Sequence, residues 1–316
     1  MKQNIVVIGS SNTDMVIKAD HLPAPGETIL GGTFFMNAGG KGANQAVAAA
    51  RLGGAVTFIC KTGNDIFGKQ AIDLFRQEGI DTSFLISDAA HPSGVALITV
   101  DKNAENCIVV ASGANATLST ADLQQALPVI EQASIVLMQL EIPIATVEYV
   151  AGIAFAQGVK VILNPAPACV LPAELLSKVS IITPNSKEAE MLTGIKVSDV
   201  ASAKSAAAAL RNTGIETVII TLGRQGALLL HEDSYTHISS FEVDAVDTTA
   251  AGDVFNGALA QALSGGENMQ QAVVFACKAA AISVTRLGAQ SSAPNKKEVD
   301  TLELKQALSH QTVETA

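Results

Sequence analysis

Residues 37–60 read NAGGKGANQAVAAARLGGAVTFIC: a glycine-rich start, an alanine-rich stretch to Leu52, and an apolar run at 56–60. The alanine-rich stretch predicts a helix, and the apolar run after two glycines predicts a buried strand. A helix that leads directly into such a strand is typical of a crossover unit in a parallel sheet. This segment therefore indicates an α/β protein.

The same alternation of strands and helices continues along the chain. The predicted strands are residues 4–9, 56–60, 135–138, 159–163, 181–183 and 218–222, with alanine-rich helical stretches between them. These runs are apolar throughout, as expected for strands that helices cover on both faces. The sequence therefore predicts a doubly wound, mostly parallel sheet flanked by helices.

Two stretches, 14–37 and 93–112, interrupt this alternation and read as β-ribbons outside the main sheet. Both follow early strands, so they can pair as a small β-sheet lid over the crevice where such folds bind ligands. Two ordinary surface hairpins are the alternative. The predicted main domain comprises the remaining residues, which are 1–13, 38–92 and 113–316.

Composition limits the class of partner. Of the 316 residues, 48% are hydrophobic, and the formal net charge is −10, so no basic surface is available for nucleic acid or an anionic membrane. The cysteines are widely spaced and form no zinc or disulfide pattern, which favours a reducing cytoplasm. No apolar run is long enough to span a membrane. A small-molecule substrate is the remaining expectation.

A second motif, residues 247–253, reads DTTAAGD, and a helical pattern follows it. Small residues at a helix start let backbone N–H groups approach an anion, and the helix dipole adds positive potential. Beside such a phosphate cradle, Asp253 can accept a hydroxyl proton as the oxygen attacks a phosphoryl group. The N–H groups of Ala250, Ala251 and Gly252 can stabilise the transferring oxygens. The alternative is that Asp253 only supports the first helical turn.

The glycines of residues 39–42 match neither common nucleotide-binding loop. Phe35 stands where a Walker A loop requires its first glycine, and Gln45 stands where GxGxxG requires its last. The glycines allow close backbone approach, while Lys41 and Asn44 offer hydrogen-bonding groups. This combination suits a ligand with several hydroxyl groups.

Residues 39–46 (GGKGANQA) and 247–253 (DTTAAGD), in this order, resemble the two signatures of the ribokinase-like (PfkB) family of carbohydrate kinases. Within that family the chain is most similar to the kinases of D-ribose, and residues 164–167, 182–185 and 285–290 extend the resemblance over essentially the whole chain. The resemblance implies ATP-dependent phosphorylation of D-ribose at the 5-hydroxyl, giving D-ribose 5-phosphate and ADP.

The resemblance also implies roles for individual residues. It assigns sugar binding to Asn12, Asp14, Gly40, Lys41, Asn44 and Glu141, with Asp253 as the base and Ala250, Ala251 and Gly252 as the anion hole. It assigns nucleotide binding to Asn185, Glu188, Thr221, Gly223, Gly226, Gly252 and Cys277, with Mg²⁺ organised through water near Asn185 and Glu188. A monovalent cation, K⁺, is implied at Asp247, Thr249, Ser283, Arg286, Gly288 and Ser292. Without the resemblance, simpler structural roles are alternatives. Strand-end capping is the alternative for Asn12, Asp14 and Glu141, and a turn between two strands is the alternative for residues 221–226.

Two positions depart from the broader family. Ala250 stands where most members have glycine, although the kinases of D-ribose commonly share this alanine, and Cys277 stands where some relatives have a polar residue near the adenine. The resemblance further implies a homodimer through the lid. Kinases of 2-deoxyribose, fructose or a nucleoside remain alternatives, and a non-catalytic sugar-sensing protein is the alternative from another class.

Overall fold

A computed structural model describes residues 4–103, 105–303 and 313–315. The strands are β1 (Asn4–Ile8), β2 (Asn12–Lys18), β3 (Thr33–Gly39), β4 (Ala55–Ile59), β5 (Lys61–Gly63), β6 (Ile86–Asp88), β7 (Gly94–Val100), β8 (Asn106–Ala111), β9 (Ile135–Met138), β10 (Lys160–Leu163), β11 (Ile181–Ile182), β12 (Thr217–Thr221), β13 (Ala227–His231), β14 (Ser234–Ile238) and β15 (Val313–Thr315). The α-helices are α1 (Lys41–Arg51), α2 (Ile66–Gln77), α3 (Leu127–Glu131), α4 (Ile144–Ala156), α5 (Ala173–Leu176), α6 (Ser186–Thr193), α7 (Val200–Arg211), α8 (Ala251–Ser264), α9 (Met269–Ser283) and α10 (Lys296–Thr301).

The main sheet has the strand order β15-β14-β13-β12-β11-β10-β9-β1-β4 among the described residues. The strands from β4 to β12 in this order are parallel, and β13, β14 and β15 extend the β12 edge antiparallel. The predicted parallel strands are confirmed to within one residue at each end. The doubly wound, mostly parallel fold class is confirmed as well.

Helices cover both faces of this sheet, and each face has its own apolar core. Ile5 and Val7 of β1 pack on one face with residues of α1, α8 and α9, whereas Val6 and Ile8 pack on the other with residues of α4 and α7. Successive side chains of a strand point to opposite faces, so a continuous apolar run supplies both cores. This explains why the parallel strands are apolar throughout.

The chain reverses its direction of winding at β1, which lies between β4 and β9. Open α/β sheets bind ligands in the crevice at such a switch point, beyond the carboxyl ends of the strands. Polar residues follow β1, β9 and β10 here: Ser10 comes directly after Gly9 beyond the end of β1, Gln139 follows β9, and Asn164 follows β10. The topology therefore brings these residues to one edge.

The two predicted ribbons form a small sheet separate from the main one, with the order β3-β2-β7-β8. The pairs β2–β3 and β7–β8 are antiparallel, and β2 pairs with β7 in parallel, so the two ribbons join through β2 and β7. The predicted small β-sheet is therefore confirmed. In the described part of the chain, no helix is both long and apolar enough to cross a bilayer.

Candidate active site

Helix α1 begins at the switch point, and a carboxylate from another segment caps it. Gly40 has a φ of 89°, which places the following backbone N–H groups toward the loop after β1. The Lys41 N–H donates to Oε2 of Glu141 at 3.0 Å, and the Ser10 hydroxyl donates to the same oxygen at 2.5 Å. A negative charge is favourable at a helix N-terminus. Glu141 therefore fixes α1 against the ends of β1 and β9.

The amide of Asn12 has a fixed orientation. Asn12 is 8% exposed, and its Oδ1 accepts a hydrogen bond from Nδ2 of Asn115 at 2.8 Å. Asn115 in turn pairs with both the N–H and the carbonyl of Ser11. Because the Asn12 oxygen is occupied, its Nδ2 group is the part that can donate to a ligand.

A cavity of about 450 Å³ opens between the small sheet and the main sheet, next to Asn12 and Glu141. Its lining residues are Asn12, Val110, Ser112, Asn115, Ala116, Leu140, Glu141, Ile142, Pro143 and Pro167. Apolar walls with a few convergent polar groups are typical of small-ligand sites. The predicted sugar-binding residues Asn12 and Glu141 thus share one cavity.

Asp253 lies in the first turn of α8 and is 6% exposed. Both carboxylate oxygens accept hydrogen bonds from α1: Asn44 Nδ2 donates to Oδ2 at 2.9 Å, and Gln45 Nε2 donates to Oδ1 at 2.9 Å. Burial raises the pKa of Asp253, while Lys41, Gln45 and Asn44 oppose this shift. The helix starts that carry the two sequence signatures therefore meet at this carboxylate.

Ala250, at the N-terminus of α8, has a left-handed backbone conformation, with φ 58° and ψ 12°. An L-residue other than glycine is strained in this region by about 1–2 kcal/mol. Such strain is found where a functional loop is held by its surroundings. The departure from glycine at this position thus has a cost in stability.

We expect Ala250→Gly to raise the free energy of unfolding by about 0.5–1 kcal/mol, because strain relief exceeds the added freedom of the unfolded chain. Urea denaturation monitored by circular dichroism measures this difference. Ala260→Gly, in the interior of the same helix, is the matched control and should destabilise the protein by about 1 kcal/mol or more. A loss of stability in Ala250→Gly would contradict the strain argument.

Lys41 is surrounded by carboxylates. Burial lowers the pKa of its ammonium group, but the carboxylates of Asp253, Glu141, Glu188 and Asp14 outweigh burial, and the net pKa is raised. Asp14 shows the opposite balance: burial, then Glu141 and Asp253, raise its pKa to about 6, although Lys41 opposes them. Four carboxylates around one ammonium leave an excess of negative charge in the crevice.

Asn185 and Glu188 form a capping box at the start of α6. The Asn185 side chain accepts from the Glu188 N–H at 2.9 Å, and Oε2 of Glu188 accepts from the Asn185 N–H at 2.8 Å. Burial raises the pKa of Glu188, with the Asn185 N–H and Lys41 opposing it and Asp253 adding to it. The capping box thus holds Glu188 within electrostatic range of Lys41 and Asp253.

The predicted nucleotide loop at residues 221–226 connects the antiparallel strands β12 and β13. Thr221 pairs with Asn185, and Gly223 and Gly226 have φ values of 57° and 90°. The loop therefore lies beside the start of α6. Cys277 is 7% exposed and packs in the core of α8 and α9, where burial raises the pKa of its thiol to about 12.

The segments predicted to hold a monovalent cation are adjacent. Asp247 Oδ1 accepts from the Thr249 N–H, and Asp247 Oδ2 accepts from the Gly288 N–H, both at 2.9 Å. Burial raises the pKa of Asp247, but these bonds and Lys18 outweigh it and lower the pKa. The side chain of Arg286 pairs with Glu298 at 2.5 Å. Ser283 and Ser292, both buried, donate their hydroxyl hydrogens to helix carbonyls.

The sequence interpretation assigned no roles to several polar residues of this site. These are Ser10, Ser11, Gln45, Asn115, Gln139 and Asn164. A signal was present for two of them, because Gln139 and Asn164 directly follow the buried strands β9 and β10. A polar residue at the carboxyl end of a parallel strand is a candidate site residue in this kind of fold.

Known proteins are similar in sequence to this chain over nearly its whole length. The profile of the pfkB family carbohydrate kinase matches residues 2–296. A ribokinase of Haemophilus influenzae is 49% identical over 298 residues, which are 94% of this chain and 97% of that protein. A deoxyribokinase of Salmonella typhi is 37% identical over 92% of this chain and 96% of its own.

A solved structure agrees as well. The structure of Arabidopsis thaliana ribokinase complexed with ribose and ATP superposes with a TM-score of 0.89 at 32% identity and covers 95% of this chain and 98% of its own. Family profile, sequence identity and fold point to the same family. The chain therefore belongs to the pfkB family of carbohydrate kinases.

Proposed function

We propose that this chain is a ribokinase: it transfers the γ-phosphoryl group of ATP to the 5-hydroxyl of D-ribose, giving D-ribose 5-phosphate and ADP. The observation that carries this function is the buried carboxylate of Asp253, held by two amides of α1 at the start of α8. The carboxylates of Asp14 and Glu141 lie within electrostatic range of it, and α8 begins two residues before it. A hydroxyl and a phosphate can therefore meet at this carboxylate.

Asp253 acts as the general base in this mechanism. Its oxygen takes the proton of the 5-hydroxyl while the sugar oxygen attacks the γ-phosphorus in line with the departing ADP. Burial raises the pKa of Asp253, and Lys41 and the two amides oppose this, which keeps a carboxylate of increased basicity. The N–H groups of Ala250, Ala251 and Gly252, at the positive end of α8, stabilise the charge on the transferring oxygens.

The sugar hydroxyls are the proposed partners of the polar groups around the α1 start. Oδ1 of Asn44 is buried without a hydrogen-bond partner, so it is an acceptor that a sugar hydroxyl can satisfy. Asn12 offers its amide hydrogens, and Asp14 and Glu141 offer carboxylate oxygens. A site built to bond a hydroxyl penalises a sugar that lacks it.

The negative charge around Lys41 fits the use of Mg²⁺ with ATP. Among the described residues, no group of three His, Cys, Asp or Glu side chains is arranged as a metal cage. Mg²⁺ keeps several waters and binds through one or two carboxylates and the substrate phosphates. Asn185 and Glu188 are the proposed residues that would hold it through water, where it would neutralise phosphate charge.

K⁺ is the proposed monovalent cation near Asp247. The Gly288 N–H donates to Asp247, which joins the two segments, and the Ser283 and Ser292 hydroxyls act as donors, so their oxygens keep lone pairs. Backbone carbonyls of these segments would supply the other ligands. Oxygen ligands of this kind suit a hard cation. The ion would stabilise the loop that leads into the α8 start and so preorganise its amides.

The small sheet is the proposed lid and the proposed dimer contact. Its inner face carries Asp14 toward the site, while its outer face exposes a group of large apolar side chains: Ile17, Phe34, Met36, Leu97 and Val109. Contiguous exposed apolar surface of this kind marks an association site. A homodimer through these faces would cover them, and closing the lid would exclude water that otherwise hydrolyses ATP.

The proposed function is tested by measuring ADP release in the presence of MgATP and K⁺. The phosphoryl acceptors to be compared are ribose, 2-deoxyribose, fructose and adenosine. Ribose is expected to give the highest kcat/KM. A higher value for 2-deoxyribose would support the alternative suggested by the similarity to a deoxyribokinase. Ribose binding without ADP release would indicate a non-catalytic sugar-sensing protein.

Asp14 should make stability depend on pH. In the folded chain its pKa is raised from 3.8 to about 6, so the folded protein binds more protons than the unfolded one between these values. Stability contributed by the protonated group is therefore lost as pH rises through this window. Asp14→Asn cannot titrate, so it does not lose this stability. The free energy of unfolding of Asp14→Asn minus that of wild type is therefore expected to rise by about 2 kcal/mol between pH 4 and pH 7.

Urea denaturation of the free protein at several pH values measures this difference. Asp300→Asn, an exposed substitution in α10, serves as the control and should show no such trend. A difference between Asp14→Asn and wild type that stays constant with pH would contradict the assigned burial of the charge.

A further inference from the structure

Gln45 occupies the centre of a buried chain of amides that ends at the proposed base. Its side chain is fully buried, as is that of Gln139, and Asn164 is 6% exposed. Gln45 Nε2 donates to Asp253 Oδ1 at 2.9 Å and to Asn164 Oδ1 at 3.0 Å, and its Oε1 accepts from Gln139 Nε2 at 2.7 Å. All three bonds lie between residues far apart in sequence.

A backbone carbonyl fixes the direction of this chain. Asn164 Nδ2 donates to the carbonyl of Thr183 at 3.2 Å, and a carbonyl can only accept. Asn164 must therefore turn its oxygen toward Gln45, so Gln45 must turn its nitrogen toward Asn164 and Asp253. The donor from Gln139 occupies the Gln45 oxygen and reinforces the same orientation. The amide of Gln45 cannot flip without breaking several buried bonds.

The same network reaches the start of α8 by a second route. The Thr183 hydroxyl donates to Asn256 Oδ1 at 2.6 Å, and Asn256 Nδ2 donates to the carbonyl of Gly252 at 2.8 Å. The carboxylate of Asp253 and the peptide before it are thus fixed from opposite sides. At the centre of the network both N–H groups and the oxygen of Gln45 are hydrogen-bonded, whereas Oε1 of Gln139 is buried without a partner in the parts of the chain that the structure describes. The bonds around Gln45 hold its amide in a single geometry.

We propose that Gln45 is the positioning residue for the base: by donating to Oδ1 it fixes the plane of the Asp253 carboxylate, whose Oδ2 is held by Asn44. This inference rests on the proposed role of Asp253. Both amide hydrogens of Gln45 are donated inside the protein, its oxygen accepts from Gln139, and its side chain is fully buried, so Gln45 has no donor left for the sugar. Its effect therefore acts through Asp253 alone.

Charged and polar groups around Asp253 determine the pKa of its carboxylate. Asn44 and Gln45 supply neutral donors, Lys41 is positive, and the neighbouring carboxylates are Glu141, Asp14 and Glu188. Loss of the Gln45 donor removes one stabilising bond from the ionised carboxylate, which raises its pKa. The base is active when it has lost its proton. The acidic limb of the kcat profile should therefore move to higher pH.

The test compares the pH profiles of Gln45→Leu, Gln45→Glu and wild type, with ribose and MgATP saturating. In Gln45→Leu we expect the acidic limb to move up by about one pH unit, with kcat below the limb reduced roughly tenfold and the KM for ribose unchanged. Gln45→Glu has nearly the same shape but places a second carboxyl beside Asp253, so its limb should move further up. Gln157→Leu, an exposed position at the end of α4, is the control.

Thermal melts establish which variants are folded. If neither Gln45 variant folds, Gln139→Leu is tested instead, because it removes the bond that reinforces the orientation of Gln45. It should move the acidic limb of the kcat profile in the same direction, but by less. An unmoved limb in the folded variants, or a raised KM for ribose with unchanged kcat, would overturn the inference. Absence of ribose-dependent ADP release in wild type would instead overturn the proposed function.

Discussion

Asp253→Asn is expected to lower kcat for ribose phosphorylation by about three to four orders of magnitude, because an amide cannot accept the 5-hydroxyl proton. The substitution keeps the shape of the side chain, but its NH₂ group would face one of the donors from Asn44 and Gln45. The loss should therefore appear in kcat, with a smaller change in the KM for ribose. Steady-state ADP release at saturating MgATP measures both constants.

Two controls separate chemistry from folding in this experiment. Asp300→Asn, in the exposed helix α10, makes the same chemical change far from the site and should retain wild-type kcat. Ribose binding to Asp253→Asn, followed by calorimetry without ATP, should persist. Turnover within tenfold of wild type would show that another group takes the proton.

Gly42→Ala is expected to destabilise the protein by about 3 kcal/mol and to reduce kcat/KM for ribose by about a hundredfold. An added Cβ would lie 2.6 Å from the Ser10 nitrogen and 2.7 Å from the Gly9 Cα, both of them backbone atoms that cannot turn aside. Helix α1 would have to move away from β1. This movement would displace Asn44 and Gln45 from Asp253, and the site would lose its geometry.

Gly152→Ala is the matched control, since it is the same substitution inside another helix, α4. The nearest atom to its added Cβ is the flexible Lys178 Nζ at 4.0 Å. Here the higher helix propensity of alanine should stabilise the protein by about 1 kcal/mol. The two variants are thus expected to differ in sign, which urea denaturation resolves. A stabilising Gly42→Ala would show that α1 does not require this close approach.

Local pattern was sufficient to predict the parallel strands of the main sheet and the two signature motifs, although not the antiparallel strands β13, β14 and β15. A buried parallel strand needs a continuous apolar run, so residues 135–138 identified β9 without any knowledge of its neighbours. The glycines before α1 and the small residues before α8 likewise predicted two helix starts suited to ligands. Each of these features depends only on residues that are close together in the chain, so each can be predicted from the sequence alone.

The partners of these helix starts could not be predicted in the same way. Glu141 was predicted to bind sugar, yet the structure also shows it accepting the Lys41 N–H and the Ser10 hydroxyl, which no local pattern indicates. Ala250 was noted only as standing where most family members have glycine, and its left-handed φ became measurable only in the folded loop. Gln45 was noted as a mismatch to a nucleotide-binding motif and as part of the family signature at 39–46, without a role of its own.

The sequence by itself determined the α/β class, the family resemblance and the identity of Asp253 as a candidate base, because each depends on residue type at short spacing. Only the tertiary structure decided that Gln45 reaches Asp253 across 208 positions of the chain, and that Asn164 and Gln139 hold Gln45 in turn. The strand order places the carboxyl ends of β1, β9 and β10 side by side. Residues distant in sequence become hydrogen-bond partners there because the sheet, and not the chain, sets their separation.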